Sequence, residues 1–303
     1  VLLEPIIRLL APVAGETYVD ATAGLGGHAR AIGAALGPRG LVVLNDVDPG
    51  NLERAAAHVV GLGASAPRVR TIRGNFANLP RTLGEENLRA DLVLADLGFA
   101  SSQMDDPVRG FSFMREGPLD MRLDPGLPIS AADLVNSMSE RELADLIAEY
   151  GEDRMASRIA RKLVQARAQS PITTTSRLAE LVRAAYGPAS RGLSIDPATK
   201  TFQAVRIAVN DELGTLDAFL AKLRRGAERV GEASGWLRPA ARVGIISFHS
   251  LEDRPVKRAF AELVRSGLAV DLTPDPVTAD EAEVGANPRS RSAKLRVVRL
   301  AGT

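Results

Sequence analysis

Three acids and a glycine turn are the residues whose spacing could do chemistry. In "DATAGLGGHA" (20–29) the glycines Gly24, Gly26 and Gly27 fall where an apolar run gives way to a helical one. Glycines there let the backbone approach a ligand, and the amides of the next helix face it. Gly24, Gly26 and Ala29 satisfy the G-x-G-x-x-G/A spacing of dinucleotide loops, and Asp46 closes the second apolar run, 20 residues beyond Gly26. An acid at that place grips the ribose hydroxyls of any adenosine-bearing cofactor, NAD and S-adenosylmethionine alike. Three features favour the second. Asp20 stands four residues before Gly24, a D-x-x-x-G-x-G pattern that suits a cofactor with an amino-acid tail and no pyrophosphate. Phe76, in "GNF" (74–76), can cover an adenine, and Asp96 ends the fourth run, beside where a transferable methyl would lie. The bland alternative is a tight turn with acids as helix caps. Four run ends that all carry ligand-compatible residues argue against it.

The elements that must position these residues alternate. β-like runs at "TYVDAT" (17–22), "LVVLND" (41–46), "VRTIRG" (69–74) and "DLVLAD" (91–96) are separated by helix-like segments at 28–37 and 51–63. That order predicts βαβ units and a parallel sheet, with strands apolar on both faces because helices cover both sides. The next convincing strand is "RVGIISF" (242–248), far beyond the ~12 residues a crossover needs. An insertion fills the interval, and its pattern is helical. Leu143, Leu146, Ile147 and Tyr150 form one stripe; Ala156, Ile159, Ala160, Leu163 and Val164 form another; Leu178, Leu181, Val182 and Ala185 follow a run of Thr caps and precede a Gly187 stop. The fold class expected is α/β, a Rossmann-like sheet with an inserted all-helical domain. Residues 1–104 and 196–303 build the sheet domain and 105–195 the insertion. "TFQAVRIAVNDELGTLDAFLAKL" (201–223) reads as one long returning helix and "KLRVVRL" (294–300) as a last strand.

Composition narrows the chemistry. The 303 residues include no cysteine and three histidines, His28, His58 and His249. Disulfides, thiolate zinc sites and cysteine nucleophiles are excluded, and no metal is expected. No apolar stretch nears the ~20 residues of a membrane span, and no basic-then-apolar leader suggests export. The expectation is a cytoplasmic protein with no membrane partner. Net charge is +1, so any nucleic-acid surface must come from local clustering.

Three longer stretches carry a resemblance. "DLGFASSQMDDPVRGFSFMREGPLDMR" (96–122), "DPATKTFQAVRIAVNDEL" (196–213) and "ISFHSLEDRPVKRAF" (246–260), with the tail "NPRSRSAKLRV" (287–297), closely resemble the ribosomal RNA small subunit methyltransferase H, or MraW, family. The resemblance runs in order from "VLLEP" to "KLRVVRL". It implies a class I S-adenosylmethionine-dependent fold with a helical insertion. It implies methylation of the exocyclic N4 of a cytidine in the decoding region of 16S rRNA, within the small ribosomal subunit. By position, the cofactor contacts it implies are Gly26, Gly27, His28, Asp46, Phe76, Asp96 and Gln103. Departures from the family pattern are Phe99, Ala100 and Ser102, where Val, Ser and Pro are usual, and Asp196, where His is common.

The chemistry then asks for a group that orients an amine whose lone pair is delocalised into a ring. Asp96 is the first candidate, with contact to the cofactor alone as its other reading. His249, in "SFHSLEDR" just past a strand end, is a candidate for the substrate pocket. A Ser-His-Asp hydrolase is disfavoured, because no G-x-S-x-G elbow is present. Arg254, Lys257 and Arg258 form one basic cluster and Arg289, Arg291, Lys294 and Arg296 another, each suited to RNA phosphates; the face bearing Arg158, Arg161 and Lys162 reads as solvated. The alternatives are a methyltransferase for another RNA or DNA base, a non-catalytic ribosome-assembly binding module, and, last, an NAD-linked oxidoreductase.

Overall fold

A computed structural model of the chain describes residues 1–190, 192–193, 195–232 and 234–302. Arg191 and Ser194, inside the expected insertion, and Ala233 and Thr303, inside the expected sheet domain, lie outside the described residues. The chain divides into two compact units, Val1–Gly98 with Leu213–Thr303, and Phe99–Glu212.

The first unit is built on one sheet. Strands β1 (Thr17–Asp20), β2 (Leu41–Asp46), β3 (Arg68–Arg73), β4 (Ala90–Asp96), β5 (Leu237–Ser247), β6 (Ala269–Asp271), β7 (Val277–Thr278) and β8 (Lys294–Leu300) follow in sequence. Their order across the sheet is β3-β2-β1-β4-β5-β8-β6, with β7 also on β8. β1 to β5 are parallel, and β8 runs antiparallel to its neighbours. Two opposite faces are buried, as the alternation of side chains along a strand requires. Val42, Leu44, Leu92 and Leu94 pack with helices α1 (Leu3–Leu10), α2 (Gly27–Leu36) and α3 (Pro49–Val60). Val43, Val93 and Val243 pack with α4 (Leu79–Glu85) and, from the second half of the chain, with Leu216, Phe219, Val256 and Phe260.

β3 departs from the expectation of strands buried on both sides: none of its residues is buried. It is an edge strand, and Arg68, Arg70 and Arg73 keep that edge charged and closed to further pairing. β5 starts five residues before the expected strand, because the sheet pairing resumes across an irregular step between Ala90 and Leu92.

The second unit contains α5 (Ser101–Asp105), α6 (Ala131–Ser137), α7 (Glu140–Gly151), α8 (Ala156–Arg167), α9 (Thr175–Tyr186) and α10 (Ala198–Asn210). Its core takes the expected stripes, with Leu143, Leu146, Ile147, Ile159, Leu163, Leu178 and Val182 buried together. Ser139 and Glu142 close a reciprocal cap on α7, Thr174 caps α9, and Gly187 ends it at φ 55°. Phe111, Leu119 and Met121 join this core, so the long polar segment after β4 is anchored rather than loose. The unit is wider than 105–195 because α10 contributes Ala198, Phe202, Ala204 and Val205 to the same core.

The single long helix expected over 201–223 is two helices, α10 and α11 (Glu212–Glu228), broken at Asp211 with φ 47°. Asp tolerates the left-handed conformation better than most residues. The residue before it is occupied elsewhere: Asn210 accepts from Leu123 N–H at 2.7 Å and donates to Met121 O at 2.7 Å and Arg206 O at 2.9 Å. Asn210→Ala leaves a main-chain donor and acceptor of that segment unpaired, and is expected to cost about 2–3 kcal/mol. Chemical denaturation of the variant checks this; a midpoint equal to the parent's would show that the staple carries no stability.

Candidate active site

The strand order reverses between β1 and β4, since the chain runs outward through β2 and β3 before returning. In open α/β sheets the crevice at that reversal is where ligands bind. The glycine turn leaves β1 there. Gly26 caps α2 at φ 78°, and a Cβ on it would sit 2.7 Å from the Ala55 Cα of α3. Only glycine allows that approach. Gly27 opens α2, and a Cβ there would meet nothing.

Asp46 holds this turn. Its Oδ2 accepts from Gly24 N–H at 2.9 Å and from Asn51 Nδ2 at 3.4 Å, and its Oδ1 accepts from Asp48 N–H at 2.9 Å. Burial pushes its pKa up, and the hydrogen bonds oppose the shift. Beside it Asn45, fully buried, donates to Ala21 O at 2.8 Å and to Gly74 O at 3.0 Å, tying the turn after β1 to the turn after β3. Phe76 follows that second turn, half-buried, with its ring edge-on to Phe219 at 5.4 Å. One side of the ring is therefore fixed by the core.

The acids gather at the ends of β1 and β4. Asp20 is buried, accepts from Tyr18 Oη at 3.0 Å and from Thr22 N–H at 3.3 Å, and is raised to about 6 by burial, against the opposing pull of His28 and the Tyr18 bond. The Thr22 hydroxyl accepts the Asp96 N–H at 2.7 Å. Asp96 lies 3.7 Å from His28 Nδ1 through Oδ2, and its other oxygen, Oδ1, is buried with no partner among the described residues. Its pKa is raised to about 7 by burial, although 24% of the side chain stays open to solvent. Burial lowers the pKa of His28, whose Nε2 meets Val1 O at 2.8 Å. Around neutral pH the cluster therefore holds less charge than its composition suggests. A ligand that brought positive charge would restore it.

A family model for the MraW methylases matches residues 1–301. The chain belongs to the MraW methylase family. It is 45% identical to the ribosomal RNA small subunit methyltransferase H of Acidobacterium capsulatum over 98% of this chain and 96% of that protein. The proteins of the same name from Symbiobacterium thermophilum and Halorhodospira halophila are 44% and 46% identical, over 98% and 92% of this chain and 95% and 87% of theirs.

S-adenosylmethionine is the methyl donor of an MraW methylase, and the residues present fit it. It brings a sulfonium and an ammonium to a crevice with two acids that burial leaves short of counter-charge, and one carboxylate oxygen there lacks a partner. Of the residues expected to contact it, Asp46 and Asp96 end β2 and β4, Gly26 lies in the turn after β1, Gly27 and His28 open α2, and Phe76 opens the short helical turn after β3. Gln103 belongs to the helical unit. There it is buried and its Oε1 accepts the Ala100 N–H at 2.9 Å, satisfying the main-chain donor at the N-cap of α5.

Of the residues expected to meet RNA, Arg254, Lys257 and Arg258 are exposed on α12 (Ser250–Arg265), and Arg289 and Arg291 on the turn Pro288–Ser292. Arg296 does not belong with them. It is 6% exposed, and its Nε and Nη2 donate to Asp253 Oδ1 and Oδ2 at 2.7 and 3.2 Å. Lys294 sits 3.6 Å from the same carboxylate. Arg296 is thereby committed to holding β8 against α12, while 42% of the Lys294 side chain stays exposed. His249 precedes α12, with Nε2 3.4 Å from Glu252 Oε1, while Glu252 Oε2 accepts the Phe248 N–H at 2.7 Å. Tyr18, Thr22 and Asn45 were not foreseen. Tyr18 had a legible signal, since it lies two residues before Asp20 and so on the same face of β1.

Asp96 carries a prediction with a definite sign. Its folded pKa is raised above the value of a free carboxyl, so it contributes stability below that value and loses it as pH rises through about 7. His28, whose pKa is lowered, acts oppositely, so the difference between two proteins isolates the acid. Asp96→Asn is expected to exceed the parent's melting temperature by a margin that grows from pH 5 to pH 8, both ligand-free. Equal melting temperatures at both values would mean that Asp96 bears no such strain.

Proposed function

We propose that this methylase transfers the methyl group of S-adenosylmethionine to the exocyclic N4 of a cytidine in the decoding region of small-subunit rRNA, acting on the small ribosomal subunit in the cytoplasm. The observation that carries the reading is the acid at the end of β4, with one buried oxygen unpartnered beside the glycine turn. Family membership supplies the reaction class, and the relatives' name supplies the substrate class.

When bound, S-adenosylmethionine supplies a methyl carbon activated by its sulfonium. Asp46 holds the glycine turn through the Gly24 N–H, accepts also from Asp48 and Asn51, and keeps one lone pair on Oδ1 for a ribose hydroxyl. The Gly26 and Gly27 backbone, at the head of α2, lines the approach. Asp96, once ionised, accepts a hydrogen bond from the target N4–H. That bond would localise the lone pair on nitrogen and aim it at the methyl carbon the donor would supply. The N4 proton would then pass to the Asp96 carboxylate or to water, so no strong base is needed. Phe76 offers its free face to the adenine, and His249 stands at the substrate pocket. Arg254, Lys257, Arg258, Arg289 and Arg291 position RNA through its phosphates without reading sequence.

Labelled S-adenosylmethionine, offered with unmodified small subunits, naked rRNA and DNA in parallel, tests the reading. Nucleoside mass spectrometry is expected to find N4-methylcytidine from the subunits; label on another base, or on DNA alone, would retire the substrate. Asp46→Ala is expected to weaken cofactor binding by about 1–3 kcal/mol, measured by calorimetry. An unchanged affinity would displace Asp46 from the ribose. Replacing Lys257 and Arg258 together by Glu should weaken RNA binding uniformly and flatten its salt dependence by about two phosphate contacts. Cofactor affinity should stay as it was, and an unaltered salt slope would remove α12 from the RNA surface.

A further inference from the structure

One row of paired residues crosses the sheet from the candidate site to its antiparallel side. Asp96 pairs with Ile246 of β5, Ile246 pairs with Leu295 of β8, and Ser247 pairs with Lys294 beside it. Neighbouring strands lie about 5 Å apart, so the start of β8 stands about 10 Å from the end of β4, at the same edge of the sheet. That is comparable with the span of one nucleotide from base edge to phosphate. Two exposed basic groups reach this edge. α12 leaves β5 there, and its exposed positions are Arg254, Lys257, Arg258, Ala261, Val264 and Arg265, with no acid among them. The turn Pro288–Ser292 enters β8 there. Ser290 is fully buried in that turn and donates through its hydroxyl to Asn287 O at 2.7 Å, so that Arg289 and Arg291 on either side of it are held at the surface.

Asp253 joins the two groups. Its two oxygens accept from Arg296 Nε and Nη2, in a pair whose side chains are only 11% and 8% exposed. The Lys294 ammonium stands against the same carboxylate, from the same face of β8. Burial pushes the Asp253 pKa up; the hydrogen bonds and charge of Arg296, with Lys294 behind them, outweigh it and hold the carboxyl below its ordinary value. One carboxylate thus faces two cations, and Lys294 presents the surplus charge to solvent. Lys257 follows one turn after Asp253 on the same ridge of α12, and Arg291 stands three residues before Lys294. Lys294 is therefore the junction at which the two basic groups meet. The surface offers cations and no aromatic anchor, which suits a phosphate backbone better than a protein partner.

Resting on the RNA substrate proposed above, we infer that Lys294 binds the backbone phosphate next to the target nucleotide, and that Asp253 and Arg296 are positioning residues that hold the α12 cations and Arg291 in one track on either side of it. The pair acts by geometry and against simple charge. Asp253 is an acid beneath a cationic surface, so its removal raises the positive charge that RNA meets. If charge alone bound RNA, Asp253→Asn would bind it more tightly. If alignment does, the variant binds more weakly, because Arg296 loses its fork and β8 its fixed place on α12.

The test uses the full chain with Lys294→Met, Lys294→Arg, Asp253→Asn and Arg296→Lys. Affinity for unmodified small subunits is measured across salt concentrations, beside S-adenosylmethionine affinity and melting temperature. Lys294→Met is expected to bind subunits about fivefold more weakly or worse, with a salt slope lower by about one phosphate contact. Lys294→Arg should stay within about twofold of the parent, and both should keep the parent's affinity for S-adenosylmethionine. Asp253→Asn is expected to bind subunits about threefold more weakly or worse despite its added positive charge, at a temperature where its cofactor affinity equals the parent's. Tighter subunit binding by Asp253→Asn, or an unchanged affinity and salt slope in Lys294→Met, would overturn the inference. Where Asp253→Asn does not fold, Arg296→Lys, which keeps the charge and loses the fork, is read in its place, and subunit affinity equal to the parent's overturns the positioning role. If the parent binds subunits but methylates nothing, the proposed reaction fails while the track is still judged by these affinities.

Discussion

Two carboxylates at the ends of neighbouring parallel strands are the constraint on which the rest of the first unit turns. Asp20 pairs in register with Leu94, and Asp96 stands two residues further along β4, so both acids face the crevice opened by the reversal of strand order. Placing them where water is scarce is costly unless other groups share the charge. Tyr18, the Thr22 amide and His28 do part of this, and the pKa values raised to about 6 and about 7 show that they do not do all of it. The remainder is left for a cationic ligand. Acids placed this way favour a cationic ligand over a neutral analogue of similar shape, which leaves their charge uncompensated.

The same constraint explains the surrounding backbone. Thr22 must stand within reach of the Asp96 amide, which fixes where the chain leaves β1 and leaves a short distance for the turn to reach α2. Gly26 completes that turn in a conformation and against a neighbour that exclude a side chain. Asn45 and Asp46, adjacent in β2, point to opposite faces of the strand. Asp46 takes the glycine turn, and Asn45 links that turn to the one after β3. The walls of the crevice are thus hydrogen-bonded to one another through β2 before any ligand arrives, which is what pre-organisation means in structural terms.

Much of this was legible in the sequence, for reasons that also explain where it was not. β1, β2 and β4 are apolar runs ended by acids, and α7 to α9 carry stripes and caps, so periodicity and punctuation found them. β6 and β7, with three and two residues, are too short for periodicity to register. The break at Asp211 has no glycine or proline to announce it; it depends on Asn210 being drawn to Met121 and Leu123, a contact almost ninety positions distant. A basic run taken as a linear patch misplaces Arg296, which is buried. Lys294 and Arg296 lie two apart on one strand and therefore share a face, and that face meets Asp253. An arginine inside a buried strand needs a carboxylate, and the acids of "SLEDR" were the place to look for it.

Asp46 shows how closely fold and function are joined here. If it only read ribose, its loss would subtract a ligand contact and leave the crevice intact. Because it also accepts from Gly24 and Asp48, its loss frees the turn that the donor must enter. The two effects separate by chemistry. Asn at this position keeps an acceptor for one of the two amides but turns its other acceptor into a donor, and so must leave either the turn or the ribose unserved. A carboxylate is the side chain of this length that offers acceptors on both oxygens at once. The requirement at the end of β2 is therefore for two acceptors more than for negative charge, which is consistent with a pKa that burial raises even as the hydrogen bonds oppose it.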